Sequence, residues 1–112
     1  MRASARRGDS CRAGLRLIER NFRCPAGEID LICDDHGTIV FVEVKTRRTD
    51  SAADPEVNIG TTKQAKLAQV ARAWLARHGE PQRAYRMDAV SVVMPSRGKA
   101  QVRHIREAFV PR

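Results

Sequence analysis

Two short pairs of charged residues in the first half of the chain have types and spacing that could do chemistry. Glu28 and Asp30 are two residues apart, as are Glu43 and Lys45. Side chains two apart on a β-strand project from the same face. Two carboxylates can bind a hard divalent cation, and a nearby ammonium can orient water or balance negative charge. If the two pairs meet, they predict a metal-assisted hydrolytic site.

Both pairs lie in segments whose patterns predict strands joined by a tight turn. We expect a strand over residues 27–33, a turn over 34–37, and a second strand over 38–46, which is rich in β-branched residues. A short turn makes the two strands antiparallel. If Glu43 lies opposite either Glu28 or Asp30, all four charged side chains share one face, whereas a one-residue slip would separate the pairs.

Phosphodiester hydrolysis is a reaction that this arrangement would suit. It needs charge stabilisation on the scissile phosphate and an activated water, and a divalent cation held by oxygen ligands supplies both. Asp30 and Glu43 are the candidate carboxylate ligands, and the backbone carbonyl of Val44 is a third candidate. Lys45 would orient or acidify the attacking water. The alternative is an ordinary salt bridge between an acid and Lys45, worth about 0–1 kcal/mol when exposed.

The charge balance favours a polyanionic partner. The 112 residues include 21 Lys plus Arg and 13 Asp plus Glu, for a net charge of +8 and a pI near 10.4. Such an excess favours DNA, RNA or an anionic membrane surface, and the alternative is a basic surface that serves solubility. Aromatic residues make up only 4%, which argues against a stacking platform for single strands.

Cysteine usage and hydropathy predict a cytoplasmic protein. No run of about 18 apolar residues is available to span a membrane. Three cysteines at irregular spacing support neither a disulfide framework nor a zinc site, so we expect reduced thiols.

The rest of the pattern predicts an α/β fold with one strong helix. Apolar residues over 62–78 recur at helical spacing, with Thr61 or Thr62 as N-cap and Gly79 after the end. We expect Trp74 in the core and Asp88 buried and hydrogen-bonded, and the sequence shows no ligand partner for His104. The other expected parts are a flexible basic tail (residues 1–10), a weak helix (11–20), a long loop (47–60) and strands over 84–94 and 101–106.

The segments GEIDLI, residues 27–32, and VFVEVKTR, residues 40–47, together resemble the YraN family. That family is assigned to the restriction-endonuclease-like PD-(D/E)xK superfamily, related to archaeal Holliday-junction resolvases. The resemblance covers about residues 15–110. It implies a restriction-endonuclease-like α/β/α sandwich with a mixed central β-sheet, formed by a single nuclease-like domain over residues 11–112.

The resemblance also implies a function: a metal-dependent endonuclease that hydrolyses phosphodiester bonds in DNA, including branched or damaged DNA. Mg²⁺ or Mn²⁺ would bind Asp30 and Glu43, with Lys45 as the third catalytic residue and Glu28 and Gln64 as auxiliary residues. Related resolvases act as dimers, which implies a homodimer. The alternative is a nucleic-acid-binding module of the same fold that does not cut. The candidate phosphate contacts are Arg47, Arg48, Lys63 and Lys66.

Overall fold

The computed structural model describes residues 14–48 and 59–110. Its strands form one five-stranded sheet in chain order. Neighbouring strands are antiparallel except for the third and fourth, which are parallel and are connected through the helix. The elements are β1 (Arg16–Cys24), β2 (Gly27–Asp35), β3 (Thr38–Arg48), α1 (Thr61–Arg77), β4 (Tyr85–Met94) and β5 (Gln101–Phe109).

The first strand contradicts the helix expected over residues 11–20, because residues 16–20 are extended and pair with β2. Two irregularities interrupt the alternation of apolar and polar side chains along β1, so the sequence does not show the pattern of a regular strand. The pairing shifts register between Leu17 and Glu19, and Asn21 has a φ of 53°. Leu17 packs in the cluster on one face of the sheet, whereas Glu19, only two residues later, contacts Trp74 of α1 on the other.

The other predicted strands are confirmed, and β2, β3 and β5 extend further than expected. The loop expected over residues 47–60 is wrong for its first two residues, since β3 continues to Arg48. Residues 49–58 and the tail expected over residues 1–10 lie outside the described residues.

The helix runs within one residue of its predicted limits, but its N-cap differs from the prediction. Gly60 is the N-cap and no side chain caps the helix, so the expected Thr cap is wrong and Thr61 is already helical. Gln64 instead donates from Nε2 to the Ile59 carbonyl at 2.7 Å. At the other end, Gly79 has a φ of 72°, the left-handed conformation that favours glycine after a helix.

Apolar side chains are buried on both faces of the sheet. Trp74 of α1 packs edge-to-face on Phe41 of β3 with ring centroids 5.8 Å apart, which confirms its place in the core. Trp74 also donates from Nε1 to Glu19 at 2.9 Å. The face away from α1 buries a smaller cluster around Val40 and Val42. Strand β3 is therefore central, with apolar side chains on both sides.

Within the described residues the architecture is mixed α/β, with a five-stranded mixed sheet and one helix against one face. A second helical layer, which the expected α/β/α sandwich requires, is not seen in residues 14–48 and 59–110. The single helix of these ranges is neither long nor apolar enough to cross a bilayer.

Substitution of Asn21 tests the strand assignment of β1. The Asn21 side chain is exposed, so a substitution acts mainly through the backbone. We expect Asn21→Val to lower the free energy of unfolding by about 1–2 kcal/mol, because a β-branched residue disfavours positive φ, whereas Asn21→Gly should be near neutral. Urea unfolding of both variants measures this. A helix would give the opposite order, with glycine the more damaging.

Candidate metal and nucleic-acid site

The ladder between β2 and β3 ends where the acidic side chains begin. Its last pair is Leu31 with Val42, and the next step in the same register places Asp30 opposite Glu43. At that point Asp30 Oδ2 accepts a hydrogen bond from the Val44 backbone N–H at 2.7 Å. The contact anchors Asp30 to the central strand beside Glu43, in one of the two registers that bring the acids together.

The alternation of β2 is interrupted around Asp30. Ile29 and Ile32 belong to the same core although they are three positions apart. The ladder with β1 also omits a pair between Asn21 and Asp30. An irregularity of this kind re-aims side chains next to it. Parity alone therefore cannot assign Glu28 and Asp30 to one face, although both line the same cleft.

A cleft of about 300 Å³ lies between the start of β2, the end of the β2–β3 ladder and the first turns of α1. The strand approaches the helix closely here, since a Cβ on Gly27 would lie 3.5 Å from Val70 Cγ2. The lining places carboxylates and ammonium groups over an apolar floor. It consists of Ala26, Gly27, Glu28, Asp30, Glu43, Lys63, Lys66, Leu67 and Val70.

Glu43 is the most buried acid of this cleft, with 9% of its surface exposed. Burial raises the pKa of Glu43 above its ordinary value, and the negative charge of Asp30 raises it further, while Lys63 and Lys45 act in the opposite direction. The Lys63 Nζ lies 3.0 Å from Glu43 Oε2. A desolvated carboxylate beside a second carboxylate favours the binding of a cation.

Lys45 and Gln64 are not among the residues that line the cleft. Lys45 is half-buried, and its charge reaches Glu43, as the effect on the Glu43 pKa shows. Gln64 uses its amide on the Ile59 carbonyl, at the entry to α1. Among the lining residues, Glu28 forms an ion pair with Arg23 at 3.4 Å.

The predicted phosphate contacts are at two places. Lys63 and Lys66 line the cleft from α1. Arg47 and Arg48 end β3, beyond Lys45. Arg48 is exposed, whereas Arg47 is half-buried, and its buried Nη2 has no hydrogen-bond partner in the part of the chain that the structure describes.

The donor set fits a hard cation held by few protein ligands. No group of three or more His, Cys, Asp or Glu within residues 14–48 and 59–110 is arranged to hold a metal. Asp30 and Glu43 offer two carboxylates in a cleft wide enough for water. Mg²⁺ commonly binds in this way, through one or two carboxylates with several retained waters. An all-oxygen donor set also suits Mn²⁺.

A second polar cluster, around Asp88, lies on the opposite face of the sheet and was only partly foreseen. The Asp88 carboxylate is buried and accepts from Arg86 Nε at 2.9 Å and from the Glu107 N–H at 3.0 Å. The expectation for Asp88 is therefore confirmed. His104, for which the sequence shows no ligand partner, takes part in this cluster, since its Nε2 lies 2.7 Å from Asp88 Oδ2.

Arg86 extends the Asp88 cluster toward the turn between β2 and β3. Its Nη1 lies 2.7 Å from Asp35 Oδ2, and this hydrogen bond is the main reason that the pKa of Asp35 is lowered to about 2. The spacing of Arg86 and Asp88 on one strand was a visible signal. No local sequence pattern predicts the contact of Arg86 with Asp35, which lies 51 residues away in the chain.

Comparison with known proteins identifies relatives of this chain. A family model described as "Uncharacterised protein family UPF0102" matches residues 11–92, which include every predicted site residue. A UPF0102 protein of Beutenbergia cavernae is 44% identical over 93 residues, covering 83% of this chain and 79% of the relative. One of Streptomyces griseus is 44% identical over 95 residues (84% and 80%), and one of Geotalea daltonii 39% over 93 (83% and 73%). These names give a family and state no activity.

The raised pKa of Glu43 predicts a pH-dependent stability difference. A carboxyl group whose folded-state pKa is raised stabilises the fold below its unfolded pKa and loses that contribution as pH rises through the folded pKa. At pH 7, with a chelator present to remove divalent cations, we expect Glu43→Gln to raise the melting temperature of the protein by about 2–4 °C. The gain should disappear near pH 4. Glu28→Gln, at a more exposed acid, should give no gain, and a lower melting temperature for Glu43→Gln at pH 7 would contradict the assignment.

Removal of the Asp88 carboxylate tests whether its cluster stabilises the fold. We expect Asp88→Ala to lower the free energy of unfolding by about 3–5 kcal/mol, because it leaves the Arg86 guanidinium buried without its main partner. Arg16→Ala removes an exposed ion pair with Asp34 and should cost at most about 1 kcal/mol. Chemical denaturation measures both, and equal losses would refute the structural role of Asp88.

Proposed function

The chain belongs to the UPF0102 family, and we propose that it is a metal-dependent endonuclease that hydrolyses phosphodiester bonds in DNA. The main support is the pair of carboxylates, Asp30 and Glu43, in one cleft. Burial and mutual repulsion act against ionisation of Glu43, so a bound cation would relieve both effects. A cation held there would face a cleft mouth that carries lysines.

We further propose that the fold is of the restriction-endonuclease-like PD-(D/E)xK class. The antiparallel β2–β3 hairpin carries Asp30 on one strand and Glu43 and Lys45 on the next, as the resemblance implies. The buried state of Val40 and Val42, on the face away from α1, supports a second covering layer of an α/β/α sandwich.

Asp30 and Glu43 would hold Mg²⁺ or Mn²⁺, with the Val44 carbonyl as a third ligand, and the ion would polarise the scissile phosphate and acidify a water. Asp30 is suited to this role because the Val44 N–H already fixes one of its oxygens. Lys45 would orient the attacking water and balance charge that develops on the phosphate. Glu28 would be an auxiliary acid at the cleft wall.

Gln64 has a lesser role in this proposal than the resemblance implies. Its bond to the Ile59 carbonyl supports a positioning role, in which Gln64 orders the first turn of α1 and thereby fixes the position of Lys63. With that bond in place, the amide oxygen of Gln64 is the part of the side chain left to accept a hydrogen bond or to approach a cation.

The DNA backbone would be held by charge. Arg47 and Arg48 follow Lys45 on β3, and Arg48 is exposed. The buried Arg47 Nη2, which has no partner in the described residues, would gain one from a phosphate oxygen once its side chain turned outward. Lys66 is exposed at the cleft. Contacts of this kind are independent of sequence and weaken steeply with salt. The substrates would include branched or damaged DNA.

A nucleic-acid-binding module that does not cut is the second candidate. The observation in its favour is that, within the described residues, no group of three or more acids, histidines or cysteines is arranged to hold a metal ion. Such a module would bind DNA equally well in the presence of a chelator, and it would form no metal-dependent product.

Cleavage of a panel of linear and branched DNAs with Mg²⁺ or Mn²⁺ tests the proposal. We expect Asp30→Asn and Lys45→Met each to reduce the rate about 100-fold or more, the usual scale for loss of a group that stabilises the transition state. Glu80→Gln is the matched control for loss of a carboxylate, because Glu80 is exposed in the turn after α1. Its rate should be unchanged. Equal rates for all proteins, or no metal-dependent product from the unaltered chain, would contradict the endonuclease proposal.

A further inference from the structure

Lys63 provides the cation nearest to Glu43 in the described structure. It is the third residue of α1, and its Nζ lies 3.0 Å from Glu43 Oε2. Half of the Lys63 side chain is exposed, whereas the Glu43 side chain is almost entirely shielded from solvent. The pair therefore joins a half-exposed ammonium to a shielded carboxylate, and both line the cleft.

We propose that Lys63 is the resident counter-cation of the site, which a divalent metal must displace from Glu43 and which is then released toward the DNA backbone. This inference rests on the proposed function, because it requires that a metal binds Asp30 and Glu43. It adds a role that the catalytic set lacks: an internal competitor that links metal binding to the freeing of a phosphate-binding ammonium.

Electrostatics favours the exchange. A metal ion of this class lies about 2.0–2.1 Å from its carboxylate oxygens. With an ammonium 3.0 Å from the same carboxylate, the two cations would be only a few ångströms apart, where like charges repel strongly in a partly desolvated cleft. Glu43 can therefore satisfy its charge with Lys63 or with the metal, but not fully with both.

Lys63 is able to leave because of its exposure and its chemistry. A lysine ammonium is a compact charge on a flexible four-carbon stem, and an exposed partner in an ion pair gives up little on release. Its position in the first turn of α1, at the mouth of the cleft, means that the released group remains beside the place where a DNA phosphate would bind.

Lys66 provides a matched comparison within the same helix and the same cleft. It lies three residues after Lys63, carries the same charge and also lines the cleft. The groups that shift the pKa of Glu43 include Lys63 and Lys45 but not Lys66. Removal of either lysine lowers the net charge equally, but only removal of Lys63 frees Glu43.

The test is calorimetric titration of the full chain with Mn²⁺, without DNA, at fixed ionic strength. We expect Lys63→Met to bind Mn²⁺ about five- to tenfold more tightly than the unaltered chain, and Lys66→Met to change the affinity by at most about twofold, as for an exposed charge that solvent and salt screen. Methionine favours helices, so neither change should disturb α1. Asp30→Asn, made alone and with Lys63→Met, should abolish binding in both backgrounds.

The Asp30→Asn variants separate failure of this inference from failure of the proposed function. If Mn²⁺ binding is lost in Asp30→Asn, but Lys63→Met and Lys66→Met have equal affinities, the metal site stands and the role of Lys63 is overturned. A Lys63→Met chain that binds Mn²⁺ more weakly than the unaltered chain overturns it as well. If Mn²⁺ binding survives Asp30→Asn, or is absent from every protein, the proposed metal site fails and the inference fails with it.

Discussion

The hydrogen bond from the Val44 N–H to the Asp30 carboxylate is the contact on which the site depends. A carboxylate beside a second, buried carboxylate would otherwise turn toward water, because like charges repel and ionised groups lose hydration in a cleft. The 2.7 Å bond to a central strand keeps Asp30 next to Glu43. The ladder between β2 and β3 ends at Leu31, the residue after Asp30, so this contact also marks where the two strands separate.

The two faces of the sheet carry polar clusters with opposite energetics. Around Asp88, the carboxylate is buried and its hydrogen bonds come from a guanidinium, an imidazole and a backbone N–H, so the cluster stabilises the fold. Around Glu43, burial and a neighbouring acid raise the pKa, and an exposed lysine compensates only in part. Incomplete compensation is typical of sites that bind ligands. The arrangement of charges on the proposed catalytic face is therefore one that the stability of the fold alone would not favour.

Local patterns predicted β2, β3 and α1 well, because β-branched alternation and a helical apolar stripe are properties of short segments. They failed for β1, where the positive φ of Asn21 and a register shift break the alternation on which such reasoning depends. The sequence left the β2–β3 register open between two pairings that bring the acids together and a one-residue slip that separates them. The structure pairs Leu31 with Val42, the register that continues to Asp30 opposite Glu43. The contact of Lys63 with Glu43 depends on how α1 packs against the sheet. The contact of His104 with Asp88 depends on the pairing of β4 with β5. Neither contact can be read from a short segment of sequence.

The most direct test of the proposed divalent-cation site is anomalous diffraction from crystals of the chain grown with Mn²⁺. We expect a manganese peak bound by carboxylate oxygens of both Asp30 and Glu43, at distances of about 2.0–2.3 Å, with the Lys63 ammonium displaced from Glu43. Manganese bound elsewhere, or no manganese at this cleft while Lys63 still contacts Glu43, would contradict the central claim that the two acids together form a divalent-cation site.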